Sequence, residues 1–157
     1  MIEKIFTRGK TGAAFTEHQT VQVIASSGID GDRYFNCDDE PGQNLTLVEA
    51  EAIEDFLKVN QRAHDLSITG RNLVTRGVSL NDLLGQEFTI GQVRLRGVDL
   101  CNPCSKLGKA LAGPELSAAA VVKQFVKRGG LRADVLSSGK ISVGDRVQTD
   151  HVVHSGN

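Results

Sequence analysis

Short apolar segments separated by glycines run through the whole chain, and this spacing limits the folds that it can adopt. Glycine accounts for 17 of the 157 residues, whereas its usual share is about 7%. Because glycine permits the positive φ angles of tight turns and bulges, it often marks the corners between strands. Short apolar runs bounded by such turns are typical of β-strands. The sequence therefore predicts a β-rich fold with sharp corners.

Alternation of apolar and polar residues places the strands. Val21 and Val23, for example, would share one face of a strand over residues 19–25. Turn-forming residues dominate 26–33, and 36–43 is polar, so both segments are predicted to be loops. The last strand is interrupted by a Gly-Asp turn. The predicted strands are 2–7, 19–25, 44–47, 72–75, 86–90, 93–100, 131–136 and 141–149.

Three segments have the periodicity of helices. The first follows strand 44–47, begins at a capping box formed by Thr46 and Glu49, and has an apolar stripe of Val48, Ala52, Ile53, Phe56 and Leu57. The second is short and covers 105–111, and the third covers about 116–127 and ends at Gly129 and Gly130. Together, these strands and helices predict a mostly β, α+β fold, in which about three helices pack outside a closed or half-closed barrel.

Length and charge narrow the class of protein. A chain of 157 residues fits a single domain over 1–157, with residues 150–157 as a loose tail. The 18 Lys and Arg residues nearly balance the 19 Asp and Glu residues, so neither nucleic acid nor an anionic membrane is an expected partner. The sequence has neither a signal peptide pattern nor an apolar run of membrane-spanning length, so we expect a cytoplasmic protein.

The sharpest local motif is Cys101-Asn102-Pro103-Cys104, which stands between a predicted strand and a predicted helix. A thiol at a helix N-terminus meets free backbone N–H groups and the positive end of the helix dipole. Both favour the thiolate, and Lys106 would add to the effect if its side chain turns back toward the sulfur. Cys104 is therefore the candidate reactive residue.

The residues alone leave several chemistries open for Cys104. Two cysteines separated by two residues before a helix are typical of dithiol redox proteins. A zinc site needs four ligands, so Cys37 and one of the four histidines would have to complete the set begun by Cys101 and Cys104. A single thiolate can also bind a soft metal whose other ligands come from a cofactor. Finally, cysteines are often simply small buried residues.

Basic residues next to glycines form a second candidate feature. Arg71, Asn72 and Arg76 lie between Gly70 and Gly77, where glycines would let an anion approach the backbone. The alternative is that these arginines merely flank an exposed edge strand. Three further arginines would have to converge on the same anion for a shared site, namely Arg33, Arg128 and Arg132.

Taken in order, several segments together resemble the MOSC family, named after the C-terminal domain of molybdenum cofactor sulfurase. They span roughly residues 28–147, and their order and spacing are more specific than any one of them. One departure is Tyr34, since many relatives have histidine after the Gly-Asp-Arg triplet. The segments are 28–33 (GIDGDR), 43–47 (QNLTL), 70–77 (GRNLVTRG), 83–91 (LLGQEFTIG), 101–107 (CNPCSKL), 128–133 (RGGLRA) and 139–145 (GKISVGD).

The resemblance implies a β-rich barrel that binds the molybdenum cofactor. By resemblance, Cys104 is the protein's molybdenum ligand, and the pterin dithiolene supplies two more sulfurs. Arg71, Asn72 and Arg76 become candidates for holding the pterin's phosphate tail. The wider set of candidate cofactor-binding residues adds Arg33, Lys106 and Arg128.

Two functions follow from this resemblance. The first is a reductase of small N-hydroxylated compounds, which would need an external electron-donor protein because the chain has no flavin, haem or iron–sulfur motif. The second is a carrier without turnover, in which Cys104 holds a persulfide received from a cysteine desulfurase. Pyridoxal phosphate is not expected in this chain. The resemblance makes a dithiol or zinc module the least favoured reading.

Overall fold

A computed structural model describes residues 1–9, 14–37, 40–103 and 105–149. Within them, eleven strands, three α-helices and one 3₁₀ turn follow one another along the chain. The helices are α1 (Ala50–Val59), α2 (Ser105–Leu111) and α3 (Ala118–Gln124), and the 3₁₀ turn is Leu80–Leu83. The strands are β1 (Ile2–Thr7), β2 (Thr16–His18), β3 (Thr20–Ile24), β4 (Gly28–Ile29), β5 (Leu45–Glu49), β6 (Leu73–Thr75), β7 (Glu87–Ile90), β8 (Val93–Leu100), β9 (Leu131–Val135), β10 (Gly139–Ser142) and β11 (Val147–Thr149).

Eight of the strands form one curled sheet, which makes a half-barrel. Their order is β11-β7-β8-β9-β5-β6-β1-β2, and the three remaining strands form a second sheet in the order β10-β3-β4. Of the strand-to-strand pairings that the structure describes in the large sheet, only β5 with β6 is parallel. This confirms the predicted mostly β, α+β class with peripheral helices.

The core has two layers because successive side chains of a strand point to opposite faces of the sheet. Leu47 and Leu73 point into the half-barrel, where they join the residues of the small sheet. Their neighbours Val48 and Val74 point outward and pack against the helices. The outer face of β5 and its neighbouring strands is therefore where helices and any outer cavity must lie.

The predicted capping box at the start of α1 is wrong. Glu49 is the residue before the helix, and its side chain makes no capping bond. Instead, it accepts a hydrogen bond from the Leu80 backbone N–H at 3.1 Å. The Thr46 hydroxyl is also occupied, because it bonds to the side chain of Asn72 across the sheet. Both side chains thus bond to residues distant in sequence instead of capping the helix. Val48, which the sequence assigned to the helix stripe, belongs to β5.

The carboxylates of α1 fasten the chain that follows β6. Glu54 receives two hydrogen bonds from the Arg76 guanidinium, at 3.0 and 2.8 Å. Arg76 also contacts Glu3, with 3.2 Å between Nε and the carboxylate. Glu51 accepts a bond from the Gly77 backbone N–H at 2.8 Å. The charge of Arg76 is therefore matched within the protein itself.

Protonation of Glu54 at low pH should lower the folding stability of the protein. Its hydrogen bonds to Arg76 and His64 lower its pKa from 4.5 to about 2. A carboxylate with a lowered pKa stabilises the fold above its ordinary pKa, and this contribution is lost as the pH falls toward the folded value. We expect Glu54→Gln to lower the free energy of unfolding at pH 6 by about 1 kcal/mol, since the pair is partly exposed.

The measurement is urea denaturation of the wild-type and Glu54→Gln proteins from pH 6 down to pH 2. The difference between them should shrink between pH 4.5 and about 2. Glu115 is exposed and has no ion pair among the described residues, so Glu115→Gln is the matched control. A difference for Glu54→Gln that stays constant over this range would contradict the prediction.

Candidate functional site

A cavity of about 380 Å³ lies on the outer face of the large sheet. Its floor crosses three neighbouring strands, because Arg132 of β9 is the cross-strand partner of both Thr46 on β5 and Asp99 on β8. These three residues alternate with residues that point into the half-barrel, so their side chains lie on the outer face. The walls come from the chain after β1, after β4, before β5, before β6 and after β8.

Four arginines line this cavity: Arg8, Arg33, Arg71 and Arg132. Among the residues that the structure describes, none of them forms an ion pair. Arg71 is oriented by a bond from its Nε to the Gly129 carbonyl oxygen at 3.0 Å, which leaves the rest of its planar fork available. Such a concentration of unmatched guanidinium groups is suited to an anion.

The carboxylates of Asp32 and Asp99, which line the cavity, accept hydrogen bonds from backbone N–H groups. Asp32 is buried and accepts hydrogen bonds from the backbone N–H groups of Arg8, at 3.1 Å, and Tyr34, at 3.3 Å. Asp99 accepts a bond from the backbone N–H of Leu100 at 2.9 Å. Asp32 therefore shapes the loops of the cavity wall, whereas Asp99 is an exposed residue of β8. Neither acid forms an ion pair with a cavity arginine among the described residues.

Asn72 ties the wall of the cavity to the sheet. Its side-chain oxygen accepts from the backbone N–H and the hydroxyl of Thr46, at 3.1 and 3.2 Å. Its side-chain nitrogen donates to the Phe6 carbonyl at 3.1 Å and to Asp32 at 3.3 Å. Both N–H groups are thus in use, so Asn72 positions the segments that carry the arginines.

Aromatic rings hold two of the arginines. The guanidinium carbon of Arg8 lies 3.9 Å from the centroid of the Phe15 ring, and that of Arg33 lies 4.6 Å from the Tyr34 ring. The Nε atom of Arg8 is buried and has no hydrogen-bond partner among the described residues. A buried donor without an acceptor is costly and is normally explained by a ligand, an ion or water.

Cys101 lies at the end of β8 and contributes to the cavity wall. Its backbone N–H donates to the Gly130 carbonyl at 2.8 Å. A side chain at Gly129 would collide with the Cys101 carbonyl oxygen, so the Gly-Gly pair allows the two segments to touch. Burial raises the pKa of the Cys101 thiol, against the opposing influence of Arg71 and Arg132. The group present near neutral pH is therefore the thiol.

The predicted site residues separate into two groups. Arg33, Arg71 and Asn72 meet at the cavity, and so does Arg132. Arg76 instead bonds to Glu3 and Glu54, Arg128 bonds to Asp55 at 2.8 Å, and Lys106 is exposed near the start of α2. Cys104 lies outside the described residues, whereas Asn102, two residues before it, lines the cavity.

Arg8, Phe15 and Asp99 are among the cavity residues that the sequence does not predict. Arg8 directly follows strand β1 and precedes Gly9. A basic residue in this position is the sequence feature that could have identified it as a site residue. Gly129 and Gly130 also have a different role from the predicted one, because α3 ends at Gln124 and the glycines allow close backbone contacts.

No group of three or more His, Cys, Asp or Glu residues suited to a metal occurs in the described part of the chain. None of the described helices is long and apolar enough to cross a membrane.

Comparison with solved structures finds the same fold in several bacterial proteins. The YuaD protein from Bacillus subtilis is 17% identical, with a TM-score of 0.76 and coverage of 94% of both chains. YiiM from Escherichia coli is 18% identical, with a TM-score of 0.67, over 94% of this chain and 68% of that one. YiiM from Geobacillus stearothermophilus is 17% identical, with a TM-score of 0.67, over 95% and 75%.

Sequence comparison assigns the family. No curated protein matches the chain. The model of the MOSC domain, however, matches residues 37–148. That stretch contains most of the half-barrel, all three helices and two of the four cavity arginines, Arg71 and Arg132. Arg8 and Arg33 precede it. The chain belongs to the MOSC domain family.

Proposed function

We propose that this protein binds the molybdenum cofactor, with the phosphate tail of the pterin in the arginine-lined cavity and the Cys104 thiolate as the metal ligand. The observation that carries the proposal is the set of cavity arginines, which have no ion pair among the described residues. All four are partly buried, and several positive charges close together without a counterion repel one another, so such a set favours a bound anion.

The cavity fits an anionic cofactor in size and in donors. Its volume of about 380 Å³ lies in the range of small-molecule sites. The terminal N–H groups of Arg8 form no hydrogen bond among the described residues and could donate to a phosphate oxygen. Guanidinium groups match phosphate geometry through paired N–H donors. The residues present therefore suit the phosphate end of the cofactor.

Each cavity residue would have a distinct task. Arg71 and Arg132 would bind the phosphate oxygens from the wall and the floor of the cavity. Asn72 would keep its present hydrogen bonds to Phe6 and Asp32 and so hold the wall in place. Cys104 follows Asn102 by two residues in the chain, which favours a metal position at the same end of β8.

When bound, the cofactor supplies molybdenum that exchanges two electrons and one oxygen atom. A thiolate such as Cys104 is a suitable soft ligand for it. The protein's own residues would bind the cofactor, orient it and limit the access of water. We further propose small N-hydroxylated compounds as substrates, with electrons delivered by a separate donor protein.

Removal of one cavity arginine should reduce the amount of cofactor retained. We expect Arg132→Met, purified from a host that makes the cofactor, to retain about tenfold less pterin than the wild type, because a charged hydrogen bond contributes about 1.5–3 kcal/mol. The pterin is measured by fluorescence after oxidative release.

Arg96→Met is the matched control for this experiment. Arg96 is an exposed arginine of β8 that pairs with Glu87 at 3.0 Å, and it does not line the cavity. Its replacement should leave the pterin content unchanged. Equal losses in both variants would show a general effect of arginine removal, and no loss in Arg132→Met would contradict the placement of the phosphate.

A further inference from the structure

Two of the cavity arginines are held by aromatic rings. The Arg8 guanidinium stacks on Phe15 at 3.9 Å, and the Arg33 guanidinium lies over Tyr34 at 4.6 Å. A carboxylate would orient an arginine but would also cancel its charge, whereas the face of an aromatic ring attracts the cation and leaves the charge intact. The ring leaves the N–H groups at the guanidinium edge available to a ligand.

The backbone of both arginines is fixed as well. The Arg33 N–H donates to the Arg8 carbonyl at 2.7 Å, and Asp32 accepts from the Arg8 N–H. The remaining freedom lies in the long side chains, whose ordering has an entropic cost. A ring that holds the guanidinium before the ligand arrives reduces that cost at binding.

We propose that Phe15 and Tyr34 are positioning residues that keep Arg8 and Arg33 ready, with their charge intact, for the phosphate group of the ligand. The proposal rests on the proposed function, since it concerns the same cavity. Phosphate esters and inorganic phosphate share the chemistry recognised here, namely oxygens with negative charge that accept several N–H bonds.

Phe15 is itself placed by its surroundings. Its ring packs against the apolar layer under the helices. Gly70 has a φ of +72°, and a Cβ added there would lie 3.1 Å from Cζ of Phe15. The ring therefore occupies the space that a side chain at position 70 would need, directly beside Arg71. Phe15 thus connects Arg8 to the segment that carries a third cavity arginine.

The two rings should differ in importance. Phe15 is half-buried, whereas Tyr34 is 44% exposed. Cation–π contacts are stronger where water is excluded. We therefore expect a change at Phe15 to weaken phosphate binding more than the equivalent change at Tyr34.

Calorimetric titration of the full chain with inorganic phosphate at low salt tests the proposal. Phe15→Leu should weaken binding about fivefold to tenfold, and Tyr34→Leu about twofold to fivefold. Phe15→Tyr keeps the ring face and should bind within about twofold of the wild type. The melting temperature of each variant without phosphate shows whether it remains folded.

A fluorinated ring separates positioning from simple packing. Pentafluorophenylalanine at position 15 keeps the shape of the ring but reverses its quadrupole, so it should repel the guanidinium. We expect this variant to stay folded and to bind phosphate at least as weakly as Phe15→Leu. Binding equal to that of the wild type in the fluorinated variant would overturn the proposal.

The outcomes distinguish this proposal from the proposed function. If Arg8→Met and Arg132→Met abolish phosphate binding but changes to the rings have no effect, positioning by the rings is wrong and the anion site remains. If wild-type protein does not bind inorganic phosphate at all, the positioning proposal is also overturned. The proposed function is then judged separately by the pterin content of purified protein.

Discussion

Asn72→Asp should remove a large part of the folding stability of this protein. Asn72 is 6% exposed, and its side-chain nitrogen donates to the Phe6 carbonyl and to the Asp32 carboxylate. Aspartate would place an acceptor against a carbonyl and, 3.3 Å away, against another carboxylate. We expect a loss of about 4 kcal/mol at pH 7, because a buried charge without a partner is strongly unfavourable. Domains of this kind are stable by only about 5–15 kcal/mol.

Urea denaturation measures this loss, and Asn81→Asp is the matched control. Asn81 is exposed, and its side chain makes one hydrogen bond, to the Lys127 carbonyl at 2.9 Å. The same chemical change there should cost less than about 1 kcal/mol. If the two variants lose similar amounts, the hydrogen bonds of Asn72 do not hold the sheet and the cavity wall together as described.

Gly130→Ala is the second change with a large expected effect. Gly130 has a φ of +110°, which alanine adopts only with strain, and an added Cβ would collide with the Leu47 carbonyl oxygen of β5. The Gly130 carbonyl also accepts the N–H of Cys101, so its displacement would move the cavity wall. We expect a loss of about 3–4 kcal/mol from strain and overlap together.

The control separates backbone strain from steric overlap. Gly144 has a φ of +94°, but an added Cβ would meet nothing within 4 Å. Gly144→Ala should therefore cost only about 1 kcal/mol, the share due to φ alone. Equal losses in the two alanine variants, measured by urea denaturation, would mean that the contact between Gly130 and β5 contributes nothing.

Local patterns were sufficient to predict most of the fold. The alternation of Val93, Leu95 and Gly97 with arginines marks β8, and its predicted bounds agree with the structure. The start of α1 could not be predicted from local pattern, because Thr46 and Glu49 bond to Asn72 and Leu80, which are distant in sequence. Strands as short as β4 have too few residues for alternation to appear.

The candidate site was only partly predictable from the sequence. Arg71 and Arg76 look equivalent in sequence, since each stands next to a glycine. In the structure, Arg71 lines the cavity while Arg76 pairs with Glu3 and Glu54. The partner in each case comes from another part of the chain, so no local pattern could separate the two. The same applies to Arg8, which is held by Phe15.

The molybdenum content of purified protein tests whether the chain binds the molybdenum cofactor through Cys104. Wild-type, Cys101→Ser and Cys104→Ser proteins are purified from a host that makes the cofactor, and molybdenum per chain is measured by elemental mass spectrometry. We expect molybdenum in the wild type, nearly complete loss in Cys104→Ser, and a smaller loss in Cys101→Ser. Wild-type protein without molybdenum would overturn the assignment of Cys104 as a molybdenum ligand, above all if Cys104 instead gained the mass of one sulfur after incubation with a cysteine desulfurase.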